Sequence, residues 1–366
     1  MAIKVLGIES SCDETAAAVC KGQGREREIL SNAVASSMDF HARFGGVIPE
    51  IASRAHLEAF APVVKKALSS SRLSLSDIDA LAVSAGPGLA GCLAVGTSGT
   101  KGLALGAGKP FYAINHVIAH LAASEGEFGK IPDNSVGLVV SGGHTTLFKL
   151  EKFPSCIVVA GSTLDDAAGE CFDKIGRLMG LSYPAGAAID SLARKGDPFA
   201  IKVPQGLRGR KDRLFDFSFS GVKTSVARTI ENMREENRPL PIEDICASLA
   251  ESVAEVLSRK AIEACRHFGS KVLVVGGGFS ANSQLRSKLK AKAEEGGIEL
   301  RIPSLSLCTD NGAMVSLLGL DLLEEGVPFS PMQASIDSSM PLNLASFSCK
   351  IKQGDVNCKT SKSSMH

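Results

Sequence analysis

Two histidines lie four residues apart in the stretch INHVIAH, at His116 and His120. On a helix, residues at this spacing project from one face, about 6 Å apart along the helix axis. The two imidazoles could therefore bind one metal ion, with a third ligand from another part of the chain. A purely structural histidine pair fits the same spacing, so the pattern alone leaves both interpretations open.

The residue that follows the first histidine argues against a peptidase. Zinc peptidases of the His-Glu-x-x-His type place their general base there, and this chain has Val117. A candidate third ligand is Asp310, in the stretch SLCTDNGAM, between a short strand pattern and an apolar helix pattern. A carboxylate at that position commonly caps the helix, so capping is the alternative to metal binding.

Two glycine-rich turns could bind phosphate through exposed backbone N–H groups. The first consists of Val139, Val140, Ser141, Gly142 and Gly143. The second, from Val275 to Gly278, leads from a strand pattern into a helix pattern, where the helix N-terminus favours an anion. A tight β turn is the simpler interpretation of either turn alone. Together with the acidic turn from Glu9 to Glu14, they favour nucleotide binding.

Known nucleotide motifs of two common classes are missing from the sequence. It contains no Gly-x-x-x-x-Gly-Lys-Ser/Thr and no Gly-x-Gly-x-x-Gly at the first helix. These absences argue against a Walker-type NTPase and a dinucleotide-binding domain.

Carboxylates crowd the stretch LDDAAGECFDKIGRLMGLSYPAGAAID. Asp173 and Asp190 flank a Pro-Ala-Gly turn that ends at Gly186, an arrangement that suits binding of sugar hydroxyls. The alternative is that the acidic residues complement the start of a helix.

A basic run follows at Lys202, Arg208, Arg210, Lys211 and Arg213. Such a run is usually a solvated loop, but it is the one local patch of this sequence suited to a phosphate backbone.

The composition sets limits on the protein class. The chain has 366 residues, 40 Lys+Arg against 39 Asp+Glu, and ten cysteines without a Cys-x-x-Cys pair. The balanced charge gives no global attraction to nucleic acid or membranes, and the cysteines indicate reduced core thiols. No uncharged apolar run reaches the roughly 18 residues of a membrane span, and an apolar strand begins at Ile3. We therefore expect a cytoplasmic protein without a signal peptide or a membrane partner.

The elements that must position these residues are those of an α/β protein with an internal repeat. A strand–turn–strand unit around Val5 reappears around Val136, and two similar halves would enclose a cleft. Helices are predicted near 49–71, kinked or divided at Pro62, and near 91–105, 164–178 and 242–267. We expect one lobe from residues 1–133 plus 312–342, a second lobe with the nucleotide loops from 134–311, and a disordered tail at 343–366.

These motifs together resemble the bacterial branch of the TsaD family of tRNA-modifying transferases. The resemblance extends from about Val5 to Met340 and rests on GIESSCDET, FGGVIPEIASRAH, GPGLAGCLAVG, INHVIAH, VVSGGHT, DDAAGECFDK, FSFSGVKT, GGGFSAN and LCTDNGAM. It implies the two-lobed fold of actin, sugar kinases and heat-shock ATPases (the ASKHA fold), with duplicated lobes and a central cleft. It also implies transfer of threonylcarbamoyl from threonylcarbamoyl-AMP to N6 of adenosine 37 in tRNAs reading ANN codons.

The resemblance implies roles for particular residues. It assigns one divalent metal ion, iron with zinc as the rival, to His116, His120 and Asp310. It places the adenylate against residues 139–143 and against Asp173, Gly186, Asp190 and Asn282. The implied partners are tRNA and TsaB-like and TsaE-like proteins, with a TsaC-like enzyme supplying the adenylate.

Chemical reasoning adds two further assignments. Asp13 or Glu14 could accept the N6 proton as general base, and Arg208, Arg210 and Lys211 could bind tRNA. The competing hypotheses are a non-catalytic partner subunit of the same fold, a metallopeptidase, and a small-molecule kinase or carbamoyltransferase. Retention of all three proposed metal ligands argues against the non-catalytic subunit.

Overall fold

The first lobe is built on a five-stranded sheet. The computed structural model describes residues 2–38, 41, 44–207 and 211–352. The strands of this sheet are β1 (Ile3–Glu9), β2 (Glu14–Gln23), β3 (Glu26–Ser36), β4 (Ala80–Gly86) and β5 (Phe111–Asn115). Their order is β3-β2-β1-β4-β5, with β1, β2 and β3 antiparallel and β1, β4 and β5 parallel.

The second lobe repeats this arrangement. Its strands are β6 (Ser135–Val140), β7 (Thr145–Lys152), β8 (Cys156–Ser162), β9 (Val272–Gly276) and β10 (Glu299–Arg301). They lie in the order β10-β9-β6-β7-β8, again with a three-stranded antiparallel part and a three-stranded parallel part. Val5 and Val136 lie on the equivalent strands β1 and β6, so the predicted internal repeat is confirmed.

Helices cover the sheets and connect their parallel strands. They are α1 (Pro49–Ser71), α2 (Ala90–Ala107), α3 (His116–Ala122), α4 (Glu125–Phe128), α5 (Ala168–Leu178), α6 (Gly186–Ala193), α7 (Ser220–Glu235), α8 (Ile242–Phe268), α9 (Ser283–Gly296), α10 (Leu305–Cys308), α11 (Gly312–Glu324) and α12 (Phe347–Lys352). Short 3₁₀ helices lie at Leu75–Asp77, Lys211–Arg213 and Gly278–Ala281. Within the described ranges, none of these helices has both the length and the apolar character needed to cross a membrane.

Helix α3, which carries the histidine pair, lies where the two lobes meet. It packs against α11 of the first lobe and against β6 and β9 of the second. All seven of its residues are buried, because neighbours from both lobes surround it. The side chain of Asn115 caps this helix by accepting hydrogen bonds from the backbone N–H groups of Val117 and Ile118. Both histidines are therefore held on a short rigid element.

Two predicted boundaries differ from the structure. Helix α1 continues through Pro62 without being divided. Proline has no N–H to donate to the carbonyl of Glu58. Because both residues are exposed, water can bind that carbonyl instead. Helix α5 begins at Ala168 rather than near Leu164, because the chain is still extended at Thr163, which forms a parallel β-bridge with Phe217.

The first lobe also extends beyond its predicted end at residue 342. Leu344 and Ala345 are buried, and the Ala345 carbonyl accepts a hydrogen bond from the backbone of Asn115. The prediction of disorder is thus wrong for this part of the tail, where two apolar side chains pack beside β5. Residues 353–366 of the predicted tail lie outside the described residues.

Candidate functional site

A cavity of about 670 Å³ opens between the two lobes. It brings together the acidic turn after β1, the glycine turn after β6, and Asp310 before α11. The lining includes these residues of the predicted site: Asp13, Glu14, His116, Ser141, Gly142, Gly143, Asp173, Gly278 and Asp310. Its size is that of a pocket for a nucleotide-sized ligand.

The histidine pair and Asp310 converge at one wall of this cavity. Nε2 of His120 lies 3.3 Å from Oδ1 of Asp310, and Nε2 of His116 lies 3.9 Å from the same oxygen. Nitrogen and oxygen atoms of the three residues all lie within 4.8 Å of one another, so the group could hold a metal ion. The fold thus brings Asp310 to the histidine pair, and metal binding by the three residues stays a prediction.

The surroundings of the histidines fit a cation. Both ring nitrogens of His120 are buried, and no hydrogen bond from the described residues reaches either of them, although Nε2 lies close to Asp310. A buried polar atom without a partner is costly, and a metal ion would satisfy Nε2. Nδ1 of His116 lies 3.1 Å from the buried carboxylate of Glu9, which leaves Nε2 for a cation. Two imidazoles and a carboxylate suit iron or zinc better than calcium.

Close backbone packing fixes the position of His120. A Cβ atom on Gly276, at the end of β9, would collide with the carbonyl of His120. Gly277 has φ +91°, and its Cβ would collide with the carbonyl of Val140. The absence of two side chains thus allows the glycine turn, β6 and α3 to approach one another.

Charge coupling links the groups around Asp310. Burial lowers the pKa of His116, but the neighbouring Glu9 and Asp310 outweigh it and raise the pKa to about 9. Burial raises the pKa of Asp310, whereas His116 and His120 together bring it down to about 2. Burial and the same two histidines lower the pKa of His144 to about 4. Asp310 is therefore an anion, and His144 is a neutral imidazole beside it.

The acidic turn faces Asp310 across the cavity. Asp13 and Glu14 lie close enough to Asp310 to form a second group of clustered carboxylates. Burial, followed by the charges of Asp13 and Asp310, raises the pKa of Glu14 to about 9. Glu14 is thus protonated at neutral pH and suits proton donation better than the role of general base. Asp13 is the better candidate for that role.

A buried histidine that sequence reasoning missed holds this turn in place. Nε2 of His56 donates to the carbonyl of Cys12 at 3.1 Å, and Nδ1 accepts from the Thr15 hydroxyl at 2.6 Å. This pair of bonds assigns the tautomer. Burial lowers the pKa of His56 and keeps it neutral. The sequence pattern predicts only that His56 lies on a helix, and gives no sign of its two hydrogen-bond partners.

The first glycine turn meets the cavity through Ser141, Gly142 and Gly143, with both glycines exposed. The turn is closed by the backbone N–H of Ser141, which donates to the His144 carbonyl at 2.8 Å. Val139 and Val140 were expected beside the ligand, but their side chains are fully buried in the cores. They belong to β6 and support the turn.

Of four further predicted ligand residues, only Asp173 lines the cavity. Its carboxylate accepts a hydrogen bond from the backbone N–H of Ala185 at 2.8 Å, and burial raises its pKa. Gly186 begins α6. Asp190 accepts from both the backbone N–H and the hydroxyl of Ser283, each at 2.8 Å.

Asn282, the fourth, caps α9 by accepting from the backbone N–H of Leu285. Its Oδ1 is therefore used within the fold, as is the carboxylate of Asp190. Both residues build the wall behind the second glycine turn.

Only part of the basic run can be placed, and of its described side chains Lys202 and Arg213 are exposed. Arg208 and Arg210 lie outside the described residues, and Lys211 begins a 3₁₀ helix that ends at Arg213. The buried amine of Lys260 anchors the following segment by donating to the carbonyls of Arg213 and Leu214 at 3.2 and 3.1 Å.

The duplicated lobes and the central cleft define a two-lobed α/β protein of the ASKHA class. Two solved structures share this fold with TM-scores above 0.5. HypF from T. kodakarensis has a TM-score of 0.58 and 16% identity, covering 88% of this chain and 48% of that one. Full-length HypF in its phosphate- and nucleotide-bound form has a TM-score of 0.53 and 14% identity, covering 88% and 47%. Identities this low show the fold alone.

Sequence similarity identifies the family. The family profile "TsaD: tRNA N6-adenosine threonylcarbamoyltransferase" matches residues 28–317. A protein of that name from Bifidobacterium adolescentis is 60% identical over 341 residues, covering 92% of this chain and 97% of the relative. One from Bifidobacterium longum is 59% identical over 345 residues, covering 93% and 98%. The chain belongs to the TsaD family and is a transferase of tRNA modification.

Proposed function

We propose that the chain transfers threonylcarbamoyl from threonylcarbamoyl-AMP to N6 of adenosine 37 in tRNAs reading ANN codons. The observation that carries this proposal is the convergence of three features in one cavity. These are the His116–His120–Asp310 group, the Ser141–Gly143 turn and the acidic turn at Asp13. Each feature has one task in acyl transfer to an amine. Since tRNA is the acceptor, we place the reaction in the cytoplasm.

The donor phosphate is assigned to the glycine turn. Gly142 and Gly143 have no side chains and are exposed to the cavity. Their backbone N–H groups can therefore approach an anion without a steric barrier. Such fixed dipoles stabilise the negative charge that develops as AMP leaves.

The acceptor amine needs a base. The lone pair of adenine N6 is delocalised into the ring, so N6 is a weak nucleophile until its proton is removed. Asp13 is buried and lines the cavity, which places an acceptor for that proton inside the site. Glu14 beside it, with its raised pKa, supplies a hydrogen-bond donor to an oxygen of the transferred group.

We propose that His116, His120 and Asp310 hold one metal ion. We expect this ion to be iron, with zinc as the alternative. When bound, it would supply Lewis acidity toward an oxygen of the donor. Glu9 orients His116 through Nδ1, as carboxylates do for metal-binding histidines.

We propose that this chain works with other proteins, which supply its donor substrate or assemble with it. A TsaC-like enzyme would make the adenylate, and TsaB-like and TsaE-like proteins would assemble with this chain. The basic run at Arg208, Arg210 and Lys211 is proposed to contact tRNA phosphates.

The test is incorporation of labelled threonine into unmodified tRNA. The purified chain is supplied with its partners, synthetic threonylcarbamoyl-AMP and a tRNA reading an ANN codon. We expect label at adenosine 37, and none in the same tRNA carrying guanosine there. No label with the adenosine substrate, while the TsaD protein of Bifidobacterium longum labels it under the same conditions, would contradict the proposal.

A further inference from the structure

A second cluster of titratable side chains lies in the first lobe, outside the central cavity. Its members are Arg27 on β3, Glu125 on α4, and Asp321 and Glu324 on α11. The side chains of Arg27, Glu125 and Asp321 are fully buried, and that of Glu324 is 14% exposed. None of the four lines the central cavity, and the reaction proposed above uses none of them.

Arg27 joins three carboxyl groups from two helices. Its Nε donates to Oε2 of Glu125 at 3.1 Å, and its Nη2 donates to Oδ1 of Asp321 at 2.6 Å. Nη2 also donates to Oε2 of Glu324 at 2.9 Å. The remaining oxygen of Glu125 accepts from the backbone N–H of Ile131 at 2.8 Å. A single guanidinium thus ties α4 and α11 to β3.

The cluster and its rim contain more carboxyl groups than cations. Ion pairs connect seven side chains, which are Arg27, Glu125, Lys130, Lys152, Asp321, Glu324 and Glu325. Four of these are carboxyl groups and three are cations, so ionisation of all seven would leave one negative charge in excess. The two lysines pair with Glu324 and Glu325 at the partly exposed rim. The excess therefore falls on Glu125 and Asp321, whose one cationic partner among the described residues is Arg27.

Other titratable groups around this pair do not supply the missing positive charge. Burial raises the pKa of the Cys20 thiol on β2 to about 12, so that thiol is neutral. Glu127 on α4 is itself a carboxylate, and Arg301 of the second lobe pairs with Glu299. A buried charge without a counterion is costly in a medium of low dielectric, and a carboxyl group in that position binds a proton instead.

One oxygen of the pair lacks a hydrogen-bond donor. Oδ2 of Asp321 is buried, and no N–H or hydroxyl group of the described residues donates to it. The carboxyl group of Glu125 lies within hydrogen-bonding reach of Asp321. Burial, followed by the charge of Asp321, raises the pKa of Glu125 well above its usual value, and burial raises the pKa of Asp321 to about 6. A proton between the two groups would satisfy Oδ2 and remove the excess charge.

We propose that Glu125 and Asp321 share one proton and thereby form a pH-sensitive clamp between α4 and α11. Each helix is continuous with part of the His-His-Asp group, since α4 follows the helix of His116 and His120 and α11 begins just after Asp310. Loss of the proton would leave two buried anions against each other and weaken the contact between the helices. The clamp does not depend on the proposed reaction.

Urea unfolding of the whole chain from about pH 5 to pH 9 tests the clamp, with Asp321→Asn as the neutral variant. Asparagine keeps Oδ1 for Arg27, and its amide N–H replaces the shared proton. Unfolded Asp and Glu titrate near a pKa of about 4, so the folded pair holds its proton to higher pH than the unfolded chain does. The stabilisation is complete at low pH and is lost as pH rises through the pKa of the pair. Relative to Asp321→Asn, the unfolding constant of the unmodified chain should rise by up to about tenfold per pH unit.

Glu324→Gln is the matched control, because it removes a carboxylate of the same cluster and leaves the shared proton. Its unfolding constant should keep the pH dependence of the unmodified chain. If Asp321→Asn does not fold, Glu125→Gln supplies the same comparison. A ratio between the unmodified chain and the neutral variant that stays constant with pH would overturn the proposal.

Infrared spectroscopy tests the proton without altering the cluster. Glu14 is the other described carboxyl group with a strongly raised pKa, about 9, so the measurement uses Glu14→Gln. At neutral pH, the C=O stretching band of a protonated carboxyl group should remain, and it should disappear at alkaline pH. Absence of that band at neutral pH would overturn the shared proton.

Hydrogen exchange tests whether the proton holds the two helices together. After correction for the intrinsic exchange rate, amides of α4 and α11 should lose protection as pH rises in the unmodified chain and keep it in Asp321→Asn. Amides of α5 in the second lobe serve as the internal reference. The same pH dependence in both chains would show that the pair does not act as a clamp.

Discussion

Nδ1 of His116 lies 3.1 Å from a carboxylate oxygen of Glu9, and the Glu9 side chain is fully buried. Nδ1 is thus held by Glu9, and Nε2 of the same ring faces Asp310 at 3.9 Å. Burial raises the pKa of Glu9, but His116 outweighs it, and the resulting pKa is lowered. An anionic carboxylate thus orients the ring of a proposed metal ligand.

Glu9→Gln should weaken metal binding by about 10- to 100-fold, the usual loss when the partner of a metal-binding histidine is changed. Competition with a chelator, on protein shown to be folded by circular dichroism, measures the affinity. Ser11→Ala is the matched control. Its hydroxyl also lies 3.1 Å from Nδ1 of His116 but carries no charge. An unchanged metal affinity in Glu9→Gln would show that Glu9 does not orient the ligand.

His116→Ala, His120→Ala and Asp310→Asn should each lower the metal content, because each removes one of three converging donors. Elemental analysis of folded protein decides it. His144→Ala is the control, since His144 lines the same cavity but does not belong to the His-His-Asp group. Normal metal content in any two of the three variants would refute the assignment.

Much of this site could be predicted from short motifs. The spacing of His116 and His120 and the resemblance around Asp310 led to a group that the fold does bring together. The repeat around Val5 and Val136 predicted equivalent strands, because alternating turns and apolar runs reflect local structure. These are properties of neighbouring residues, which a sequence displays directly.

Contacts between distant segments could not be predicted in this way. His56 and Thr15 are 41 positions apart, and only the packing of α1 on β2 brings them together. The cap made by Asn282 and the hydrogen bonds that Asp190 accepts from Ser283 compete with the ligand roles that their side-chain chemistry allows. The residue type shows what a side chain can bind, whereas the fold determines which partner the side chain contacts.

Charge reversal at Arg208, Arg210 and Lys211 should weaken tRNA binding and reduce its salt dependence. Each lost phosphate contact should lower the log–log salt slope by about 0.7 to 0.9. Binding isotherms at several salt concentrations measure it, with Lys290→Glu as a control at an exposed position on α9. The affinity for the adenylate should not change. An unaltered slope would mean that the basic run is a solvated loop.

Asn282→Ala should lower the free energy of unfolding by about 0.5 to 2 kcal/mol, because it removes the cap of α9. Asn282→Asp keeps an acceptor for the Leu285 N–H and should retain most of that stability. The same Asp variant loses the amide N–H donors, so it separates capping from binding. If the amide contacts the adenylate, calorimetry with a non-hydrolysable analogue should show about 5- to 150-fold weaker binding in Asn282→Asp. Equal affinity would leave Asn282 with the cap alone.

Arg286 joins the two segments that border the second glycine turn and the metal ligand. Its Nε donates to the Ser280 carbonyl at 2.8 Å, and Nη2 donates to the Pro303 carbonyl at 2.5 Å. Ser280 belongs to the 3₁₀ helix after the glycine turn, and Pro303 precedes the short helix that leads to Asp310. A planar guanidinium can reach both carbonyls at once, and a lysine amine lacks this fork.

We therefore expect Arg286→Lys to weaken both metal binding and adenylate binding while the protein stays folded. Hydrogen bonds from a charged donor are worth about 1.5 to 3 kcal/mol, so unfolding should also become easier by about that amount. Lys288→Met is the matched control on the same helix, because Lys288 pairs with Glu251 and Glu255 and with neither segment of the site. Urea unfolding, chelator competition and calorimetry measure the three quantities. The contrary result is a loss of stability in both variants while the affinities for metal and adenylate stay unchanged. It would show that Arg286 supports the fold without positioning the site.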